Sequence, residues 1–331
     1  MRILITGCAG FIGYNLTKKV LALGHEVIGI DDISNEENNA IIKNTRIEDL
    51  KAYKNFDFIK MDIVNDAFGS ILRETKIDIT IHLASKEIFY NQLDYIKYTP
   101  FLITNVIGTS KIYELSRAIG AKKFIFASTF SVYGTTKKES QTEKKILPRP
   151  ISPVGTSKLA AEQVLHFMNN YYNIPTVILR VFSVYGPAMK PLTVIPLIIH
   201  RLKNNLPIDL ANDPELTRDY IYVDDVVESI ISTFDKRLKY QAINIATGIS
   251  TNLKDLIYMI AEIMGVDKKN VKLVESSIDH RKVVVKKSSA STSRAEKMLK
   301  FKAKISLKEG LKKTVDWYLD NPDILEISTH K

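Results

Sequence analysis

Short apolar runs alternate with amphipathic stretches along the first half of the chain. The runs predict strands at residues 3–5, 27–30, 56–61, 77–83, 124–127 and 176–181. Apolar residues at helical spacing predict two helices, over residues 105–119 and 154–171. Strands that alternate with helices are typical of a doubly wound parallel sheet, so we expect an α/β fold. The alternation weakens after Gly186, where we expect a smaller region that covers the substrate to begin.

The first predicted strand runs directly into three glycines spaced three residues apart, Gly7, Gly10 and Gly13. An amphipathic stretch follows them, which gives the pattern of a strand, a phosphate-binding turn and a helix N-terminus. Gly7 permits a tight turn, Gly10 lets backbone N–H groups approach a pyrophosphate, and Gly13 lets the helix pack on the strand. We therefore expect the chain to bind a dinucleotide.

Acidic and polar residues stand at the ends of the later predicted strands. The second strand ends at Asp31. A carboxylate there can accept hydrogen bonds from both adenosine ribose hydroxyls and repels a 2′-phosphate, so NAD is favoured over NADP. Ligands of such sheets bind outside the carboxyl ends of the strands. We therefore expect Asp62 beside the adenine, and residues 82–85 beside the diphosphate and the nicotinamide ribose.

Composition narrows the range of partners. The chain has 331 residues, 45% of them hydrophobic, which is enough for one large α/β domain and a smaller one. The formal net charge is +10, but the lysines are scattered and form no basic tail or stripe, so we expect no nucleic-acid partner. The most apolar segment, 193–199, is short and contains Pro196, which predicts a cytoplasmic protein without a membrane anchor. The single cysteine, Cys8, excludes an internal disulfide and a cysteine-based metal site, and we expect no metal.

Ordered motifs along nearly the whole chain resemble those of the extended short-chain dehydrogenase/reductases that act on nucleotide sugars, the group of UDP-glucose 4-epimerase and dTDP-glucose 4,6-dehydratase. Besides the glycine loop, Asp31 and Asp62, the matching motifs are His82-Leu83-Ala84, residues 105–109, Ser128-Thr129, residues 131–134, 152–153, 155–159, 180–182, 184–187, 218–223 and Trp317-Tyr318. The resemblance implies a Rossmann-like NAD domain at residues 1–182, with a return segment at about 217–247. It places a smaller C-terminal α/β nucleotide-sugar domain at residues 183–216 and 248–331.

The resemblance also implies further site residues. Contacts with NAD are implied for Phe11, Ile12, Asp32, Asn35, Ile63, Leu83, Ala84, Ser85, Asn105, Lys158 and Phe182. Contacts with the nucleotide-diphosphate sugar are implied for Ser85, Lys86, Thr129, Ser183, Arg218 and Arg281. The two arginines would clamp the diphosphate, although the family's Gly-Asp after the second is missing here, which leaves a solvated surface role open for Arg281. A homodimer is implied as well, through a four-helix bundle of the helices from Asn105 and Val154 of each subunit.

One position departs from the family. The family's helix begins Tyr-Gly-x-Ser-Lys, whereas this chain has Val154 in place of the tyrosine that moves a proton to or from the sugar hydroxyl. Valine cannot donate, accept or store a proton. Lys158, which the resemblance places on the nicotinamide ribose, and Thr129, which matches the residue that contacts the sugar oxygen, remain as candidate catalytic residues.

The missing tyrosine affects the reactions of the family unequally. Oxidation of an alcohol needs a base for the hydroxyl proton, whereas a ketone is already electrophilic, and Thr129 or water can relay a proton to the nascent alkoxide. Phe130-Ser131 stand where the dehydratases and decarboxylases of the family carry acidic residues. The cysteine of the 3,5-epimerase/reductases is also missing. The sequence thus favours an NADH-dependent 4-ketoreductase of a nucleotide-linked 4-keto sugar.

Two alternatives stay open. One is a nucleotide-sugar 4-epimerase or 4-dehydrogenase that uses another proton carrier, such as Tyr90 or Tyr185. The other is a non-catalytic protein, or an inactive variant of an enzyme, that binds NAD and a sugar nucleotide. Turnover of NADH with a supplied keto sugar distinguishes the reductase from the binding protein, and interconversion of sugars without net NADH change indicates the epimerase.

Overall fold

The structure is a computed structural model that describes residues 1–34, 39–65, 72, 75–87, 97–134, 140–143, 148–210, 216–274 and 288–326. The chain divides into two compact units. The first consists of Met1–Val132, Pro153–Arg180 and Val227–Ile243. The second consists of Tyr133–Ser152, Val181–Val226 and Asn244–Lys331.

Twelve strands lie in the described part of the chain. They are β1 (Arg2–Thr6), β2 (Glu26–Asp31), β3 (Phe56–Lys60), β4 (Ile79–His82), β5 (Lys123–Thr129), β6 (Thr176–Val181), β7 (Ser183–Tyr185), β8 (Ile208–Asp209), β9 (Thr217–Tyr222), β10 (Gln241–Ile245), β11 (Ser250–Asn252) and β12 (Leu273–Val274). Seven of them form one sheet in the order β10-β6-β5-β4-β1-β2-β3. The pairs β1–β2, β2–β3, β1–β4 and β4–β5 are all parallel.

The described residues also form eleven α-helices. They are α1 (Phe11–Ala22), α2 (Asn39–Lys51), α3 (Thr99–Leu102), α4 (Thr109–Ala118), α5 (Pro153–Tyr172), α6 (Val194–Lys203), α7 (Val223–Ile231), α8 (Leu253–Ile263), α9 (Ser293–Leu299), α10 (Leu307–Asp320) and α11 (Pro322–Glu326). A π-helical segment, Ile103–Gly108, joins α3 to α4. None of the described helices is long and apolar enough to cross a membrane.

The large sheet confirms the doubly wound α/β fold predicted from the sequence. Its strand order reverses beside β1, which leads on one side to β2 and on the other to β4. Ligands of such sheets bind at this point, outside the carboxyl ends of the strands. All four residues of β4 and the last four of β1 are buried, as expected for parallel strands covered on both faces. The predicted helix at 154–171 is confirmed as α5, whereas the one at 105–119 is an α-helix only from Thr109 onwards.

The predicted domain boundaries differ from the two units in four segments, of which 181–182 and 244–247 are short. Residues 133–152 and 217–226, which the resemblance places in the NAD domain, belong to the second unit. Residues 217–226 belong to the second unit because they contain β9, which pairs with β7 and β11 in a separate three-stranded sheet. The pairing partner of a strand depends on contacts remote in sequence, which the local pattern of apolar residues does not contain.

Candidate active site

Two glycines of the turn from β1 into α1, Gly7 and Gly13, have no room for a side chain. Gly7 has a φ of 72°, and a Cβ atom on it would lie 2.7 Å from the backbone nitrogen of Ala84. A Cβ atom on Gly13 would lie 1.9 Å from the carbonyl oxygen of Gly7. Gly10 precedes α1 without a side-chain cap, and the first turn, which begins with the predicted contacts Phe11 and Ile12, has no acidic residue. The positive end of α1 is therefore open to an anion, so the loop fits the diphosphate of a dinucleotide.

Hydrogen bonds hold one residue of this loop, Ala9, at both its N–H and its carbonyl group. The N–H of Ala9 donates to Oδ2 of Asp31 (3.1 Å), and its carbonyl oxygen accepts from Nη1 of Arg46 (2.8 Å). Asp31 lies at the end of β2 and is only 5% exposed. Arg46 on α2 is a contact that the sequence analysis missed, because nothing local distinguishes it from the other cations of that helix. The two side chains therefore fix the shape of this loop.

Asp31 also meets a lysine that the sequence did not indicate. Nζ of Lys43, on α2, donates to Oδ1 of Asp31 (2.9 Å), to Oδ1 of Asp32 (3.2 Å) and to Oγ of Ser34 (3.3 Å). Burial lowers the pKa of Lys43, but the charge of Asp31 and the hydrogen bonds outweigh it, so that pKa is raised overall and the ammonium stays charged. The pKa of Asp32 is lowered, because the N–H of Ser34 and the charge of Lys43 outweigh burial. The predicted contact Asn35 lies outside the described residues.

A buried histidine stands at the end of β4. His82 is fully buried, with Nδ1 2.6 Å from Oγ1 of Thr6 and Nε2 3.0 Å from Oγ1 of Thr109. The hydroxyl of Thr109 donates to the carbonyl oxygen of Asn105 (2.7 Å), so it accepts from His82, and Nε2 carries the proton. Burial and the charge of Lys158 lower the pKa of His82 to about 3. The ring is therefore neutral, and each of its nitrogens has a hydrogen-bond partner within the chain.

The predicted contacts that follow β4 are held by backbone and side-chain hydrogen bonds. The N–H of Leu83 donates to the carbonyl oxygen of Thr6 (3.1 Å), and that of Ala84 to its hydroxyl (3.3 Å). This places both residues against the glycine loop. At the end of β3, Asp62 is exposed and accepts from the N–H of Val64 (3.0 Å), while Ile63 is buried.

Asn105, in the π-helical segment, joins the residues after β4 to the helix that carries Lys158. Its Oδ1 accepts from the N–H of Lys86 (2.8 Å) and from Oγ of Ser85 (3.3 Å). Its Nδ2 donates to the carbonyl oxygen of Lys86 (3.1 Å) and to Oγ of Ser157 (2.9 Å). The structure thus brings three predicted site residues together on one buried amide. Ser157 was not a predicted contact.

Lys158 lies on α5 and is 3% exposed. Its Nζ donates to the carbonyl oxygen of Ala127 (2.8 Å) and stands 4.7 Å from the centre of the Phe126 ring. Burial lowers its pKa to about 8, and the charges of Glu87 and Glu162 oppose that effect. The ammonium is therefore mostly protonated at neutral pH, although it is a stronger acid than an exposed lysine.

A buried ion pair lies one helical turn beyond Lys158. Both carboxylate oxygens of Glu162 accept from Arg180, from Nε (3.1 Å) and from Nη2 (2.6 Å). The hydroxyl of Ser128 also donates to Oε1 of Glu162 (2.5 Å). The sequence analysis did not include this pair in the site, although the spacing of four residues between Lys158 and Glu162 along a helix was a usable signal.

The position of the family's tyrosine is filled by an apolar side chain. Val154 is 4% exposed and lies one turn before Lys158 on α5. Thr129, at the end of β5, accepts from the N–H of Ser131 (3.2 Å) and donates to its hydroxyl (3.3 Å). Tyr90, a proposed substitute proton carrier, lies outside the described residues. Tyr185 is buried, its hydroxyl donates to the carbonyl oxygen of Leu307 (3.2 Å), and burial raises its pKa, which disfavours it as that carrier.

The remaining predicted contacts belong to the second unit. Phe182 is buried, and its N–H donates to the carbonyl oxygen of Ile245 (3.0 Å). Ser183 pairs with Tyr220 in the parallel pair β7–β9. Arg218, on β9, is partly exposed, and its Nη1 donates to the carbonyl oxygen of Thr217 (2.8 Å). Arg281 lies outside the described residues.

Comparisons with known proteins agree with this architecture. A family model described as GDP-mannose 4,6 dehydratase matches residues 4–314. The UDP-glucuronate 4-epimerase of Thermodesulfobacterium geofontis is 31% identical over 325 residues, which cover 98% of this chain and 98% of that protein. The human dTDP-D-glucose 4,6-dehydratase is 30% identical over 329 residues, which cover 97% of this chain and 90% of the human protein.

A solved structure is similar over nearly the whole chain. It is the UDP-glucuronic acid 4-epimerase of Bacillus cereus in complex with UDP-glucuronic acid and NAD, with a TM-score of 0.88 and 30% identity. The match covers 97% of this chain and 100% of that one.

Proposed function

The chain belongs to the GDP-mannose 4,6 dehydratase family of NAD-dependent nucleotide-sugar epimerases and dehydratases, and from this premise we propose that it is an NADH-dependent 4-ketoreductase of a nucleotide-linked 4-keto sugar. Membership confirms the resemblance drawn from the sequence motifs. The cofactor is NAD, and the chemistry of the family is that of nucleotide-sugar oxidoreductases and epimerases. The direction of the reaction and the 4-keto substrate are the proposal.

Val154 is the observation that carries this proposal. It is buried one helical turn before Lys158, where the family places the tyrosine that handles the hydroxyl proton. Removal of a general base typically costs about 10²–10⁴ in rate, which is a heavy loss for a reaction that starts from an alcohol. Reduction of a ketone needs a proton only as the alkoxide forms, and hydrogen bonds can stabilise that oxygen beforehand.

The chain's own residues have distinct tasks in the proposed reaction. The glycine loop and the start of α1 bind the cofactor diphosphate, Asp31 binds the adenosine ribose, and Lys158 binds the nicotinamide ribose. Bound NADH supplies the hydride. The hydroxyl of Thr129 donates to the sugar carbonyl oxygen and passes its proton to that oxygen as negative charge develops. Ser131, whose hydroxyl oxygen lies 3.3 Å from that of Thr129, is placed to return the proton from water.

The positive charge in the site is compatible with the proposed reduction. Lys158 is protonated at neutral pH, because the pKa lies near 8, and its ammonium stabilises an alkoxide formed near the end of β5. For the sugar nucleotide, we propose diphosphate contacts from Ser183, Arg218 and Arg281, and sugar contacts from Ser85 and Lys86. The second unit thus takes the part of the nucleotide-sugar domain in this proposal.

Oxidation of NADH in the presence of a panel of UDP-, dTDP-, GDP- and CDP-linked 4-keto sugars tests the proposal. We expect the native protein to reduce at least one of them, and Thr129→Val to reduce it about 10²-fold more slowly with unchanged affinity for NADH. Ser131→Ala, the matched loss of a neighbouring hydroxyl, should slow the reaction less, because water can replace it. Equal rates for Thr129→Val and native protein remove Thr129 from the mechanism, and no turnover of any keto sugar by the native protein refutes the reductase.

A 4-epimerase is the second candidate, because 4-epimerases are among the relatives of the chain. It requires a proton carrier other than Val154. Interconversion of a UDP-sugar pair that differs only at C4, without net change in NADH, distinguishes it from the reductase. Val154→Tyr should raise this activity if the valine is what limits it, since a phenol beside Lys158 restores a base with a lowered pKa.

We also propose that the protein is a homodimer. Three apolar residues near the π-helical segment, Leu102, Ile103 and Ile107, are 39–48% exposed. On α5, Phe167 and Tyr171 are 66% and 70% exposed. Isologous packing of these helices with those of a second copy would remove this apolar surface from water.

A further inference from the structure

We propose that Lys43 decides whether the adenosine end of the cofactor site accepts a 2′-phosphate. In the native protein, Asp31 and Asp32 hold the ammonium of Lys43 and the site excludes NADPH. When Asp31 loses its charge, Lys43 becomes the cation that binds the 2′-phosphate. The inference concerns the adenosine end alone and does not depend on which sugar reaction the protein performs.

The position of Lys43 carries the first step of the argument. Its Nζ lies 2.9 Å from Oδ1 of Asp31, which is the carboxylate expected to bind the ribose hydroxyls. A ribose oxygen that hydrogen-bonds the same Oδ1 at about 2.8 Å lies at most about 5.7 Å from Nζ, the sum of the two distances. Because a lysine has a flexible four-carbon stem, the ammonium can cover the remaining gap to a phosphate oxygen without movement of α2.

The balance of charge explains why the native site still excludes NADPH. Two carboxylates, those of Asp31 and Asp32, share the single ammonium of Lys43, which leaves one net negative charge around it. Oδ1 of Asp31 also accepts from the N–H of Ile33 (3.0 Å), so this carboxylate is fixed in place and cannot turn away from a phosphate. A 2′-phosphate would therefore meet Asp31 before it gained the full attraction of Lys43.

The other nearby cation is not suited to this role. Arg46 is 6% exposed, and its guanidinium is committed to the carbonyl oxygen of Ala9 in the glycine loop. Lys43 is more accessible, with 16% of its side chain exposed, and all three of its acceptors lie at the end of β2 or just after it. Lys51, on the same helix, pairs with Glu48 at the surface and provides a matched control.

Fluorescence titration of NADH and NADPH, without any sugar, tests the proposal as a binding measurement. Five proteins are compared: the native chain, Asp31→Asn, and Asp31→Asn combined in turn with Lys43→Met, Lys43→Arg and Lys51→Met. We expect Asp31→Asn to tighten NADPH binding by at least about tenfold. The added Lys43→Met should weaken NADPH binding again by about tenfold, which is the effect of one charge-assisted hydrogen bond. The added Lys51→Met should leave the NADPH affinity of Asp31→Asn unchanged. The added Lys43→Arg should retain most of the affinity gained by Asp31→Asn.

Three outcomes overturn the proposal. The first is an Asp31→Asn protein that binds NADPH no better than the native chain. The second is equal NADPH affinity with and without Lys43→Met. The third is a parallel loss of NADH and NADPH affinity on Lys43→Met, which means that this lysine only supports the loop. Since no keto sugar is present, failure of the reductase proposal leaves these measurements unaffected.

Discussion

Replacement of Lys158 by methionine should make the protein more stable at neutral pH. This difference in stability from the native protein should disappear at alkaline pH. The lysine is 3% exposed, and burial lowers its pKa from 10.5 to about 8. The folded chain therefore binds this proton less tightly than the unfolded chain. The resulting penalty on stability is fully present below pH 8 and disappears as the pH rises towards 10.5.

The size of the effect is set by the two pKa values. A shift of one unit corresponds to about 1.4 kcal/mol, so the penalty at pH 7 is about 3 kcal/mol and at pH 10 about 1 kcal/mol. Lys158→Met removes this penalty at every pH, at the cost of about 1 kcal/mol for the lost hydrogen bond to Ala127. The difference in free energy of unfolding between variant and native protein should thus fall by about 2.5 kcal/mol from pH 7 to pH 10.

Urea unfolding of the protein freed of NAD, followed by circular dichroism at pH 7, 8.5 and 10, measures this difference. Lys122→Met is the matched control, since Lys122 is exposed and pairs with Asp78 at the surface. Its difference from the native protein should stay constant across the same pH range. Parallel stability curves for Lys158→Met and native protein refute the reasoning, because they mean that the lysine titrates as it would in the unfolded chain.

Three further predictions concern the glycine loop, the buried ion pair and the assembly. Gly13→Ala should abolish NADH binding in a fluorescence titration, because its Cβ would lie 1.9 Å from a carbonyl oxygen of the loop; unchanged affinity would contradict the loop geometry. Glu162→Gln should lower the free energy of unfolding in urea by about 3–5 kcal/mol, because it leaves Arg180 charged and buried; a loss under about 1 kcal/mol would show that the pair is solvated. Light scattering should give twice 37.5 kDa for the native protein and a monomer for Ile107→Lys with Phe167→Lys; a native monomer would exclude the dimer.

The features predicted best from the sequence depend on residues close together in the chain. The apolar run before Gly7 and the glycine spacing define a strand, a turn and a helix within a dozen residues, and the structure confirms them. The same holds for Asp31 at the end of β2, since the end of a strand is visible in the local pattern. Such elements have few alternatives, because propensity, spacing and turn chemistry agree.

The features that the sequence did not reveal depend on contacts between remote segments. Lys43 lies twelve residues after its partner Asp31, on a helix with two other cations, and only the packing of α2 brings it to the end of β2. Asn105 was a predicted cofactor contact, but its bonds to Lys86 and Ser157 depend on how two separate segments meet. The place of residues 217–226 in the second unit depends on remote contacts in the same way, because β9 pairs with β7 and β11.

The π-helical segment has a consequence for how this protein tolerates insertion and deletion. Its i→i+5 hydrogen bonds accommodate more backbone per turn than an α-helix does, and Asn105 lies within that stretch. Deletion of one residue between Ile103 and Gly108 would let the stretch close as a regular α-helix and would remove the wide turn that holds Asn105. Asn105 could then no longer face Lys86 and Ser157 together. A deletion of one residue would thus disrupt the site without replacing any residue of it. The length of this segment is therefore a structural requirement of the site.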